Sequence, residues 1–260
     1  LDLFTVEQDH SKSPYYFRRT NCPPTDTLTH DGHGAPVAVT GMTWSGFRPS
    51  DDACIYGYLI PSNMFATVVL GYMETIAHEV LKDEALAAEA ASLKKEIHDA
   101  IESMAIVDNY YYGKVYAYEV DGYGQYMLMD DANVPSLLAM DYLGYEADDR
   151  QVVENTRNFV LSCANPYYYE GSCAKGVGSQ HTKPGYIWHI ALAIQGLTSK
   201  TKEEKLAILN TMKNTDAGKH MMHEGFDVND PANYTREWFS WANAMFCELV
   251  LDYCDIRVAR

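Results

Sequence analysis

The chain has 260 residues, 47% of them hydrophobic, enough to bury a sizeable core in one or two domains. A formal charge of −16 excludes a nucleic-acid binder, because phosphate recognition needs a basic face and none is visible. No unbroken apolar run reaches the roughly 18–20 residues of a membrane span, and the acidity suits an extracellular or secretory-lumen protein acting on a neutral ligand.

Residues 1–47 read as irregular, with Asp31-Gly32-His33-Gly34 a turn rather than a metal or phosphate loop. The segment from Arg48 to Asn63 carries an arginine and the paired acids Asp51 and Asp52 into Pro61-Ser62, where the Ser62 hydroxyl suits a helix start. Beyond it Phe65, Val68, Val69, Tyr72, Met73, Ile76, Ala77, Val80 and Leu81 recur at helical spacing. They predict the buried face of a helix over 62–81. A second helix over 84–105 completes an antiparallel hairpin at Lys82-Asp83. The alternation from Val107 to Gly124, broken at Gly113-Lys114, predicts a small β-hairpin.

The plan then repeats. Met129-Asp130-Asp131-Ala132-Asn133 runs into Val134-Pro135-Ser136 and a helix to about Tyr142, with a partner over 149–163. The Gly-rich loop 176–182 precedes a helix over 187–198 and a charged one over 202–214. His223-Glu224 and Thr235-Arg236 precede a helix bearing Trp238, Ala242, Met245, Phe246, Leu249, Val250 and Tyr253 on one face. Core helices starting near 62, 134, 187 and 235 indicate a helical repeat. In an α/α toroid the polar loops before them would converge on one face.

Six cysteines are present. A disulfide between Cys163 and Cys173 would close the loop between them, the alternative being buried reduced thiols. Cys247 and Cys254, seven apart on a helix, lie roughly 10 Å from one another and cannot pair. The even count favours a secretory setting mildly.

The carboxylates Asp51, Asp52, Asp130, Asp131 and Glu224 sit at loop-to-helix junctions. Helix capping explains any one of them. A doubled Asp-Asp-Ala exceeds what a cap needs, and two acids flanking a substrate suit general acid and base work on a glycosidic bond. His181 with Thr182 and Trp188 suits hydroxyl binding, against a structural hydrogen-bonding role for a lone histidine. No His/Asp/Glu spacing suggests a metal site, no cofactor motif is readable, and neither G-x-S-x-G nor a P-loop is present.

Phe47-Arg48-Pro49-Ser50-Asp51-Asp52-Ala53, Ile60-Pro61-Ser62-Asn63-Met64, Tyr118-Glu119-Val120-Asp121-Gly122-Tyr123-Gly124, Met129-Asp130-Asp131-Ala132-Asn133-Val134-Pro135-Ser136, Gln195-Gly196-Leu197-Thr198 and His223-Glu224-Gly225-Phe226 through Thr235-Arg236-Glu237-Trp238-Phe239 together resemble family 125 glycoside hydrolases. The resemblance runs from about Gly41 to Tyr253. It implies an all-α (α/α)6 toroid and a metal-independent, inverting exo-α-1,6-mannosidase acting on α-mannosyl oligosaccharides or glycans. It also implies a general acid within Ser50-Asp51-Asp52, taken as Asp51 with Asp52 holding substrate, and Glu224 as general base. Arg48, Asn63, Asp130, Asp131, Asn133, His181, Thr182, Trp188, Arg236 and Trp238 become the sugar-binding candidates.

Two departures stand out. Gly225 replaces the family's usual serine beside the base. A toroid needs twelve helices and about seven are readable here, so the expectation for 1–260 is the C-terminal majority of one catalytic domain. A separate N-terminal segment would complete it. The rival readings are a non-catalytic glycan-binding or structural relative on the same fold, and a glucosidase of glucoamylase type. A carboxyl separation of roughly 6.5–9.5 Å would mark inverting catalysis.

Overall fold

The structure, a computed structural model, describes residues 1–256. The chain divides into two compact units. The first takes Leu1–Leu128 with Leu143–Thr156, and the second takes Met129–Tyr142 with the residues from Arg157 onward.

In the first unit the expected irregular start contains a short helix, α1 (Asp2–Glu7), and then single 3-10 turns. Strand β1 (Tyr58–Leu59) leads directly into α2 (Ile60–Ile76), which ends in a π turn over Ala77–Leu81 and a left-handed Lys82 with φ 58°. Ser62 is not the cap. The helix begins before it, with Pro61 in the first turn and no side-chain cap bond, and Pro supplies a pre-set φ where no amide hydrogen is needed. α3 (Glu84–Met104) is capped in the ordinary way, the Asp83 side chain accepting from the Leu86 amide at 3.0 Å.

α2 buries a different face from the expected one. Ile60, Asn63, Met64, Thr67 and Leu70 are enclosed, whereas Phe65, Tyr72, Ile76, Val80 and Leu81 are exposed. The buried stripe includes two polar residues because both are satisfied locally. Thr67 Oγ1 donates to the Met64 carbonyl at 2.7 Å, and Asn63 bonds the backbone of Thr43 and Leu59. By length and composition Ile60–Leu81 is also long and apolar enough to cross a membrane, which unbroken run length did not reveal. Here it packs along α3.

The β-hairpin forms as β2 (Ile106–Asn109) and β3 (Gly113–Tyr116). β4 (Glu119–Val120) pairs with both β1 and β5 (Tyr126–Met127), which sets Glu119 opposite Leu59 on one side and Met127 on the other.

The helix expected over 134–142 shrinks to α4 (Met140–Leu143), and the residues before it form turns. α5 (Arg150–Val160) follows, beginning in the first unit and ending in the second. The second unit then has a two-stranded ribbon, β6 (Tyr168–Glu170) with β7 (Lys175–Val177). A three-stranded sheet is built from β8 (Tyr186–Trp188), β9 (Gly225–Asp227) and β10 (Tyr234–Thr235), in the order β10-β9-β8. α6 (His189–Leu197) continues straight out of β8 and is buried nearly throughout; it packs on α7 (Lys202–Asn214) and α8 (Ser240–Tyr253). A Cβ at Gly196 would lie 2.7 Å from Leu249 Cδ2, so glycine is what lets α8 come this close to α6.

All six cysteines are free thiols, and Cys163 and Cys173 are exposed rather than paired. The loop needs no staple because β6 and β7 already pair across it. Without a disulfide, the secretory expectation rests on acidity alone.

Candidate active site

The acids Asp51 and Asp52 sit in a tight loop of the first unit. The Arg48 amide donates to the Asp52 carbonyl at 2.8 Å and the Asp51 amide to the Arg48 carbonyl at 3.0 Å, a closure that leaves Asp51 left-handed at φ 71°. The two carboxylates therefore separate in environment. Asp51 is exposed; Asp52 is 2% exposed and accepts from Ser50 Oγ at 3.2 Å.

Two candidates in this unit have structural tasks. Arg48 is buried, its Nε donating to Glu119 Oε1 at 2.6 Å and its guanidinium 5.5 Å from the Tyr118 ring centre. Burial alone would lower its pKa, but the Glu119 charge and hydrogen bond leave it raised. Glu119 in turn accepts from the Ile55 and Tyr56 amides, both at 2.9 Å, so the pair fastens the loop after Asp52 to the β1-β4-β5 sheet. Asn63 is fully buried. Its Oδ1 accepts from the Thr43 amide at 2.8 Å and its Nδ2 donates to the Thr43 and Leu59 carbonyls at 3.0 and 3.1 Å. Those bonds use its oxygen and both amide hydrogens, so it anchors the 40s segment on α2. A separate cleft of about 880 Å³ runs along α2, α3 and the 144–148 loop, lined by Thr67, Gly71, Tyr72, Lys94 and His98, none of them a candidate.

In the second unit the sheet β10-β9-β8 organises the rest. Glu224 immediately precedes β9, its amide donating to the Thr235 carbonyl at 3.2 Å. Its Oε1 lies 3.1 Å from Arg236 Nε, and Arg236 is itself left-handed at φ 47°, with its guanidinium 5.8 Å from the Phe239 ring centre. The Glu224 side chain is 8% exposed and that of Arg236 is 61% exposed, so one member of the pair is sheltered and the other faces solvent. Trp188, opposite Gly225 in the sheet, is buried and donates Nε1–H to Thr182 Oγ1 at 3.0 Å, while His181 stands exposed and edge-on to it. A Cβ on Gly225 would sit 3.2 Å from the Trp188 ring, so the residue after Glu224 is pressed against the indole. Trp238 is 62% exposed.

The second Asp-Asp-Ala resolves differently. Asp130 is completely buried and its carboxylate oxygens accept from the Leu137 and Leu138 amides at 2.8 and 2.9 Å. Burial pushes its pKa up to about 8, against the pull of those amides in the other direction. The capping alternative therefore describes Asp130, and its bonds take amide donors that an extended 134–142 helix would have turned to its own carbonyls. Asp131 accepts from Ser179 Oγ at 3.2 Å, and beside it Asn133 Oδ1 is buried with no hydrogen-bond partner. An acceptor in that state is open to a donor such as a sugar hydroxyl.

Sequence reasoning missed three groups. Glu119 was in a quoted motif without a role. His223 carries no role in its motif either; it is fully buried, stacked on Tyr234 at 3.9 Å, with Nδ1 2.6 Å from the Glu237 carbonyl and Nε2 without a partner. His189 went unnoticed because it lies inside an apolar run. Among the described residues no group of three His, Cys, Asp or Glu side chains is placed to hold a metal ion.

The mostly helical architecture with small sheets is similar to that of a bacterial glucoamylase solved with acarbose. The TM-score is 0.59 over 78% of this chain and 34% of that one, at 14% identity, a likeness of fold. The chain belongs to the metal-independent alpha-mannosidase family, GH125, whose model matches residues 2–251. It is 55% identical to a metal-independent alpha mannosidase of Streptococcus pneumoniae solved in a non-productive complex with alpha-1,6-mannobiose. That likeness covers 98% of this chain and 61% of the other with a TM-score of 0.95. It is also 42% identical to the meiotically up-regulated gene 157 protein of Schizosaccharomyces pombe over 94% of its own length. The chain spans about half of that relative, 48%.

Proposed function

We propose that this chain supplies the acid and the base of an exo-acting glycosidase that removes terminal α-1,6-linked mannose with inversion. The observation that carries the reading is family membership along nearly the whole chain, joined to a sheltered carboxylate, Glu224, held by Arg236. Arg236 engages Oε1 and leaves Oε2 to accept from a water. Glu224 would take that water's proton as its oxygen attacks the anomeric carbon from the β face.

Asp51 would protonate the departing glycosidic oxygen. Of the two acids in its loop it is the exposed one, at a left-handed position, whereas Asp52 is enclosed and bonded to Ser50. A general acid has to touch the leaving group, so access favours Asp51 and leaves Asp52 to shape the loop. Asn133, Asp131, His181 and Thr182 are proposed to meet sugar hydroxyls, and Trp238 to offer an apolar ring face. The reading includes an (α/α)6 toroid of which this chain is part, supported by the glucoamylase likeness. The proposed substrate class follows the mannobiose bound by the pneumococcal relative.

Proton NMR during the first turnovers of α-1,6-mannobiose tests this. β-Mannose should appear before mutarotation. α-Mannose appearing first refutes inversion, and cleavage of α-glucosides in preference to α-mannosides favours the glucoamylase-type reading.

A further inference from the structure

His189 opens α6 and is completely enclosed. Its Nδ1 lies 3.0 Å from the His223 backbone nitrogen and 3.2 Å from the His223 carbonyl oxygen, and its Nε2 lies 3.1 Å from Thr215 Oγ1. The threonine identifies the tautomer. Its single hydroxyl hydrogen is directed at the Thr211 carbonyl at 2.9 Å, so its oxygen accepts and Nε2 must donate. Nδ1 is then a lone pair, and the His223 amide donates to it. The other tautomer would set Nδ1–H against that amide hydrogen and leave a buried donor unpaired. An imidazolium would do the same, and burial pushes His189 down to about 3, so the ring stays neutral.

The residue after His223 is Glu224. We propose that His189 is a positioning residue for Glu224: held from behind by Thr215, its imidazole takes the His223 amide hydrogen and fixes the backbone from which the base projects. The partner of the base is tied down by the same short segment. His223 Nδ1–H donates to the carbonyl of Glu237, the neighbour of Arg236. Two histidines thus hold the backbone on both sides of the Glu224–Arg236 pair. The proposal rests on the reading of Glu224 as base.

The test compares His189→Asn, His189→Gln and His189→Leu in the full chain, with kcat and KM on α-1,6-mannobiose and the thermal midpoint of each. Asparagine can place its oxygen where Nδ1 accepts, whereas glutamine reproduces the Nε2 side. The expected result is a kcat loss of about 10–100-fold for Leu and Gln with KM within about threefold. Asn should recover most of kcat, whatever the order of the thermal midpoints. Each substitution is repeated with Glu224→Gln, using an activated aryl mannoside to follow residual turnover; the His189→Leu factor should disappear there, because there is no base left to place. If Glu224→Gln alone leaves activity intact, the reading of the base fails. If Glu224→Gln inactivates but His189→Leu lowers turnover equally in both backgrounds, the positioning role is overturned. It is also overturned if kcat follows the thermal midpoint with Asn no better than Gln.

Discussion

Asp130 gives the sharpest distinction between a sugar ligand and a structural acid. Its two oxygens accept from the Leu137 and Leu138 amides at 2.8 and 2.9 Å inside a fully buried loop. Truncation to alanine orphans both amides, each at about 1–3 kcal/mol, a gross loss of about 2–6 kcal/mol. Part of this is recovered because a carboxyl that burial pushes up to about 8 no longer has to be enclosed. The net expectation is a destabilisation of about 3 kcal/mol for Asp130→Ala. Asp130→Asn keeps one acceptor and turns an amide hydrogen toward the other donor, so about 1–3 kcal/mol is expected. Urea unfolding of the full chain gives the order wild type, Asn, Ala, with KM for α-1,6-mannobiose nearly constant in whatever enzyme remains folded. A change in unfolding free energy below about 0.5 kcal/mol, together with a KM raised tenfold or more, would refute the structural assignment and return Asp130 to the sugar.

Three further outcomes are expected. Asp51→Asn should lose far less activity on an activated aryl mannoside, whose leaving group needs little protonation, than on mannobiose; Glu224→Gln should be crippled on both, and the reverse pattern exchanges the roles. Extensive chelation should leave turnover intact, and loss with EDTA followed by recovery with calcium or zinc would show the site misread. Because burial pushes His189 down to about 3, the native state refuses a proton that the unfolded chain accepts below about 6.5. Stability from this site is therefore lost as pH falls from about 6.5 toward 3, by up to about 1.4 kcal/mol per pH unit. His189→Asn should flatten the fall of the urea midpoint between pH 6.5 and 4.5, and identical slopes would contradict the assignment.

Periodicity made α3, α5, α6 and α7 legible within a few residues, and turn chemistry exposed the β2-β3 hairpin. α8 begins at Ser240 rather than near 235, where Tyr234 and Thr235 pair as β10, so Trp238 precedes the helix it was expected to line. Periodicity failed for the orientation of α2. That helix is apolar on more than one side, and the enclosed stripe contains Asn63 and Thr67, whose polar atoms are satisfied by nearby backbone. Hydropathy cannot register that satisfaction. Pattern also placed a helix over 134–142, where the Asp130 carboxylate takes the amides of Leu137 and Leu138 for a turn. In the candidate site the doubled acids divide: Asp130 binds backbone amides in the way a cap does, while Asp51 is free of such bonds to a helix start and stays a proposal. The sequence could not say that Asp52 turns inward while Asp51 stays exposed, or that Asp130 and Asp131 are both enclosed, since the partners Ser50 and Ser179 carry no signal of their own. The Arg48–Glu119 pair joins residues far apart in the chain, and a long-range partner leaves no local spacing to read.

The left-handed backbone at Asp51 and Arg236 has a consequence for how these positions can vary and how they should be probed. Asparagine, aspartate and glycine tolerate this region, whereas β-branched residues do not. Drift at residue 51 is thus filtered by backbone geometry before chemistry is tested, and functional divergence should pass through Asn or Gly. An alanine scan would mix a conformational penalty of about 1 kcal/mol or more into the loss of the acid. Asp51→Asn removes the proton and keeps the turn. At residue 236 glycine would relax the chain while deleting the guanidinium, so Arg236→Gly and Arg236→Ala should part company in stability even where they agree in rate.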